Sequence, residues 1–96
     1  MLVLITYDVN TTTAAGRKRL AKVAKTCVNY GQRVQNSVFE CLLDHAQLIV
    51  VRGKLLQIMD ETQDSLRIYN LGNSYQNRIE HYGVKEAYAP EEPMFL

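Results

Sequence analysis

At 96 residues the chain has room for one small domain, 1–96. At that size roughly 60–65% of the unfolded surface becomes buried, so a lone subunit is only marginally stable and a partner copy would help. No run approaches the roughly 18 apolar residues that span a bilayer, and the apolar start Leu2 to Ile5 runs into Thr6, Tyr7 and Asp8 without a basic lead or cleavage pattern, which excludes a membrane role and reads as an unexported protein.

The two cysteines, Cys27 and Cys41, have neither CxxC spacing nor the density of a disulfide scaffold, so both are expected reduced and partly buried, as in the cytoplasm. The net charge of +1 hides an asymmetry. Between Val9 and Phe39 there is no acidic residue, yet that stretch holds Arg17, Lys18, Arg19, Lys22, Lys25 and Arg33. A cationic first third is a local footprint for a polyanion, with a solvated helix face as the competing reading.

Leu2 to Tyr7 is an aliphatic and β-branched run that reads as a buried strand ending at Asp8. From Ala14 to Tyr30 the apolar residues Leu20, Val23, Ala24, Cys27 and Val28 recur at helical spacing while Lys18, Lys22 and Lys25 take another face, which predicts an amphipathic helix with a basic side. Gly31 is placed to close it as a C-terminal cap. Arg33 to Leu43 is rich in β-formers and is either one bent strand or two strands parted near Asn36.

Asp44 with Gln47 three residues on has the capping-box pattern, and Leu48, Val51, Leu55 and Ile58 give a second helix its core stripe. Gly53 weakens that helix by about 1 kcal/mol relative to alanine and leaves room for a close helix contact. Ser65 to Leu71 reads as another strand, ended by the turn residues Gly72, Asn73 and Ser74. Tyr75 to Tyr82 suggests a single helical turn, Val84 to Tyr88 a last edge strand, and about 89–96 a flexible tail.

This order predicts an α+β sandwich of ferredoxin-like βαββαβ type, with both helices on one face of an antiparallel sheet and an extra C-terminal edge strand. The first strand is apolar at both parities, with Leu2 and Leu4 on one side and Val3 and Ile5 on the other, so both sheet faces want cover. Two helices shield one face. The expected cover for the other is the sheet of a second copy, a two-fold homodimer packed sheet on sheet.

Asp8 stands where the first strand leaves the sheet, a site that also suits a plain turn former. If the two-fold axis passes near the strand ends, two Asp8 carboxylates approach each other, and such a pair must share a proton or a cation. Hard oxygen ligands with water in the remaining positions suit magnesium or manganese, and an ion so held can polarise a phosphodiester and activate water. Arg17, Arg19 and Arg33 have the guanidinium forks that match phosphate, and Lys18 and Lys22 add charge. Ser37 is a candidate phosphate donor. Phe39 reads first as a core residue, with stacking on a base as the competing reading. His45 and His81 form no metal spacing and no nucleophile and base pair, and Tyr69, Tyr75, Tyr82 and Tyr88 read as packing and dimer-contact residues.

The strand LVLITYDV, the Arg17-Lys18-Arg19 start of the first helix and above all GQRVQNSVFEC from Gly31 to Cys41 resemble the CRISPR-associated protein 2 family, and the likeness runs through SLRIYNLG to essentially the whole chain. The type I-C branch is similar. The resemblance implies a ferredoxin-like homodimer whose carboxy-terminal strand packs onto the partner's sheet, with Asp8 of each subunit coordinating a divalent metal for phosphodiester hydrolysis of DNA or RNA. It ties Arg17, Arg19, Arg33, Ser37 and Phe39 to activity or substrate contact. It also implies the alternative of a non-catalytic adaptor in spacer acquisition, bridging the CRISPR integrase and supporting captured DNA. A ferredoxin-like regulator or toxin-type ribonuclease outside CRISPR systems is a third reading.

Overall fold

The computed structural model describes residues 1–84. The elements run β1 (Leu2–Asp8), α1 (Ala14–Val28), β2 (Gly31–Gln35), β3 (Val38–Leu42), α2 (His45–Ile58) and β4 (Ser65–Gly72), followed by a single 3₁₀ turn at Gln76–Arg78. The four strands form one antiparallel sheet in the order β2-β3-β1-β4, which is the ferredoxin-like arrangement expected from the sequence. The expected edge strand over Val84 to Tyr88 and the tail about 89–96 fall, apart from Val84, outside the described residues.

The period of two along β1 sets the layers. Val3, Ile5 and Tyr7 point into a core with Phe39 and Cys41 of β3, Val23, Ala24 and Cys27 of α1, and Leu48, Val51 and Leu55 of α2. Both helices therefore cover the same sheet face. Leu4, Thr6 and Asp8 point the other way, level with Glu40 and Val38 on one side and with Tyr69, Arg67 and Ser65 on the other. Leu4, Val38 and Leu42 are only partly buried there.

Local chemistry explains the boundaries. Thr13 starts α1 by accepting from the Gly16 amide at 3.0 Å. Both halves of the capping box at α2 form: the Gln47 amide donates to Asp44 Oδ1 at 2.7 Å and the Asp44 amide to Gln47 Oε1 at 3.0 Å. Gly72 takes a positive φ of 75°, turning the chain out of β4. The Arg33 to Leu43 segment resolves into two strands joined through Asn36 and Ser37, with a register shift between Arg33 and Gln35.

Two glycine expectations are corrected. Gly31 does not cap α1, which ends at Asn29; it opens β2, where a Cβ would lie 1.9 Å from the Glu40 carbonyl oxygen, so close strand approach is what requires it. Gly53 lies against no neighbour among the described residues, with none of their atoms within 4 Å of a Cβ built there. Both cysteines are free and buried, and the Cys41 thiol donates to the Cys27 carbonyl at 3.5 Å. Among the described residues no helix is long and apolar enough to cross a membrane.

Candidate functional site

At the end of β1 the side chains of adjacent residues part company. Tyr7 is buried on the helix side, where its hydroxyl donates to Asp64, and Asp8 is exposed on the opposite face. Asp8 lies on a cleft of about 410 Å³ together with Thr6, Ser37, Ser65, Arg67 and Tyr69. Antiparallel register builds it: Asp8 is opposite Ser65, Thr6 opposite Arg67 and Leu4 opposite Tyr69. The β2–β3 turn adds Ser37, held beside β1 because its carbonyl accepts from the Tyr7 amide at 2.9 Å.

Beneath this cleft β1 is tied to β4 by a buried polar knot. Asp64, just before β4, has a fully buried side chain and accepts from Arg19 Nε at 2.8 Å, Arg19 Nη2 at 3.1 Å, the Asp60 amide at 3.0 Å and the Tyr7 hydroxyl. Burial works against the Asp64 carboxylate, but the hydrogen bonds from Arg19, Tyr7 and Asp60 outweigh it and hold its pKa below the usual range. Burial, reinforced by the Asp64 carboxylate, pushes the Tyr7 phenol up to about 12. The knot ties Tyr7, the residue before Asp8, to Arg19 of α1 and to the residue that precedes β4.

The sequence-derived candidates scatter. Asp8 and Ser37 meet in the cleft. Arg17, Lys18 and Lys22 are exposed on α1, the layer across the sheet from the Thr6 and Asp8 side chains, and Arg17 Nη1 donates to the Thr11 carbonyl at 3.0 Å. Arg19 does not reach outward to phosphate: its fork is taken by Asp64, and its side chain is 16% exposed. Arg33 is exposed at the edge strand, donating to the Asn36 carbonyl at 2.7 Å with its guanidinium 5.6 Å from the centre of the Phe39 ring. Phe39 is completely buried in the core, so its ring is closed to a stacked base and the packing reading replaces the binding one.

Sequence reasoning passed over Tyr7 as an anchor, Asp64, Ser65 and Arg67. A signal for the last two was present, since alternation along SLRIYNL puts Ser65, Arg67 and Tyr69 on one face; what was missing was the neighbour of that strand.

The cleft offers hard oxygen donors in the Asp8 carboxylate and the hydroxyls of Thr6, Ser37 and Ser65, a set that suits magnesium or manganese in kind. It falls short in number within one chain. Among the described residues no group of three or more His, Cys, Asp and Glu side chains gathers to hold a metal ion.

Comparison with known proteins agrees with this fold. The sequence model described as CRISPR associated protein Cas2 matches residues 1–79. A protein named CRISPR-associated endonuclease Cas2 from Halalkalibacterium halodurans is 57% identical over 96 residues, covering 100% of both chains. One named CRISPR-associated endoribonuclease Cas2 from Chlorobaculum tepidum is 64% identical over 86 residues, 90% of each chain. The crystal structure of Streptococcus pyogenes Cas2 at pH 6.5 superposes with a TM-score of 0.80 at 59% identity, over 86% of this chain and 100% of that one. With the family model spanning most of the sequence and relatives this similar over 90–100% of their length, the chain belongs to the Cas2 family of CRISPR-associated proteins.

Proposed function

We propose that this chain is a metal-dependent endonuclease that hydrolyses phosphodiester bonds of DNA or RNA during CRISPR spacer acquisition, acting as a homodimer with Asp8 of each subunit at the shared centre. The observation that carries the reading is the contrast between two carboxylates. Asp64 is buried and fully engaged, whereas Asp8 is exposed at a rigid strand end and makes no side-chain hydrogen bond or ion pair among the described residues. A free carboxylate on a polar cleft is what a metal site needs from each of two chains. The names of the Halalkalibacterium and Chlorobaculum relatives, endonuclease and endoribonuclease, support extending nuclease activity to this chain.

A magnesium or manganese ion bound there would be held by the paired Asp8 carboxylates and would supply charge neutralisation and water activation at neutral pH. The chain's own residues do the rest. The Tyr7–Asp64–Arg19 knot and the Tyr7 amide bond to Ser37 anchor the end of β1 from which Asp8 enters the cleft. The hydroxyls of Thr6, Ser37 and Ser65 are placed to donate to phosphate oxygens.

A second reading, a dimeric adaptor that supports DNA beside the CRISPR integrase, draws on a separate observation: the exposed Arg17, Lys18 and Lys22 lie across the sheet from the cleft and suit backbone binding without chemistry. One experiment separates the two. Wild type and Asp8→Asn are assayed on defined single-stranded RNA and duplex DNA with magnesium or manganese, each purified identically. The nuclease reading expects cutting by wild type alone with nucleic-acid binding retained in both. Equal cutting by the two proteins, or none by either, overturns it.

A further inference from the structure

We infer that Arg67 is the phosphate-binding cation of the Asp8 cleft, in place of the sequence-derived candidates Arg17, Arg19 and Arg33. The inference rests on the nuclease reading above and adds a residue to it. The need is physical: beyond the charge neutralisation that a metal ion at Asp8 would supply, a fixed cation in the cleft orients the phosphate for attack and stabilises the charge that develops on it. Among the candidate cations, Arg19 is consumed by Asp64, Arg33 is parked on the helix side of the edge strand beside Phe39, and Arg17, Lys18 and Lys22 belong to the opposite layer. Arg67 alone of these arginines and lysines lines the cleft with Asp8.

Its geometry fits the task. Asp8 is opposite Ser65 in the β1–β4 ladder, and Arg67 is two residues further along β4, a diagonal neighbour on the same face at about 7–8 Å, within reach of a long side chain. Despite that proximity the two do not pair. Arg67 Nη1 instead donates to the Tyr69 hydroxyl at 3.1 Å, further along β4 from Ser65, so the phenol draws the guanidinium away from the carboxylate. Arg67 has no carboxylate partner among the described residues. An aromatic hydroxyl satisfies one of five N–H donors and leaves the rest of the planar fork for two phosphate oxygens. A phosphodiester in the cleft then has Arg67 at one side, Asp8 at the other, and the Ser37 and Ser65 hydroxyls along its length.

The test uses the full chain as Arg67→Ala, Arg67→Lys and Asp8→Asn, with cutting rate, binding to single-stranded RNA and duplex DNA over a salt series, and oligomeric state measured for each. The expected result is a fall in kcat/KM of about 10²–10³-fold for Arg67→Ala with partial recovery in Arg67→Lys, and a salt slope smaller by about one for Arg67→Ala, with the subunit association of wild type. Cutting abolished by Asp8→Asn but unchanged within twofold by Arg67→Ala overturns the role of Arg67 and leaves the nuclease reading standing. Absence of cutting in wild type removes the nuclease reading, and the salt slope then decides for Arg67: a drop of about one supports phosphate binding, and no change overturns it. Weakened subunit association with an unchanged slope identifies Arg67 as an interface group and also overturns the inference.

Discussion

Truncating Arg19 tests whether that arginine is structural or faces nucleic acid. Arg19→Ala leaves the buried Asp64 carboxylate with only the Asp60 amide and the Tyr7 hydroxyl as donors, and no opposite charge. Removing one partner of a buried pair costs about 3–5 kcal/mol, because the remaining ion keeps its desolvation penalty without its compensation. The 16% exposure of the Arg19 side chain lets water into the vacated space, which points to the lower end, about 3 kcal/mol. That is a large share of the roughly 5–15 kcal/mol that stabilises a typical domain. Urea unfolding at one fixed protein concentration measures it, the concentration being held because any association between copies would add to apparent stability. Double-mutant comparison with Tyr7→Phe is expected to show coupling, since both side chains act on one carboxylate. A loss under about 1 kcal/mol, the size of a surface ion pair, combined with a salt slope for nucleic-acid binding reduced by about one, would refute this reasoning and return Arg19 to the phosphate.

The pH dependence follows from the same knot. The Asp64 pKa is depressed in the folded state, so its contribution to stability is fully present above the unfolded value of about 4 and is lost as pH falls through the folded one; Asp64→Asn should flatten this acid limb of a stability-against-pH curve. For Tyr7 the shift is upward, so its contribution is complete below the unfolded pKa of about 10 and disappears as pH rises towards about 12, and tyrosinate absorbance should show one late-titrating ring that Tyr7→Phe removes. Gly53 and Gly31 should respond oppositely to alanine: Gly53→Ala, in open space on a helix, is expected to stabilise by about 1 kcal/mol, and Gly31→Ala, whose Cβ meets the Glu40 carbonyl at 1.9 Å, to destabilise, both by urea unfolding.

What could be read from the sequence depended on how far each signal reaches along the chain. Features written within a few residues came through: the strand that ends at Asp8, the Asp44 and Gln47 box, the Leu48, Val51 and Leu55 stripe, and the turn at Gly72. The ferredoxin-like order followed from their sequence. The site was harder because it depends on partners far apart. Arg19 looked like a phosphate ligand until Asp64, 45 residues away, was seen to occupy it. Phe39 sits in a strand whose inward side is decided by pairing with Ile5, which local pattern does not reveal. Arg67 becomes meaningful only once β4 is known to lie beside β1. Gly31 looked like a helix cap because caps are common uses of glycine, whereas contact with a neighbouring strand is what excludes a side chain there.

The central proposal, that a single ion joins the carboxylates of two subunits, is tested most directly by counting manganese. Titration calorimetry of the full-length protein, with the oligomeric state determined on the same sample, should give one ion per two chains for wild type and a loss of that binding in Asp8→Asn. One ion for every chain, or binding undiminished by the substitution, would contradict it.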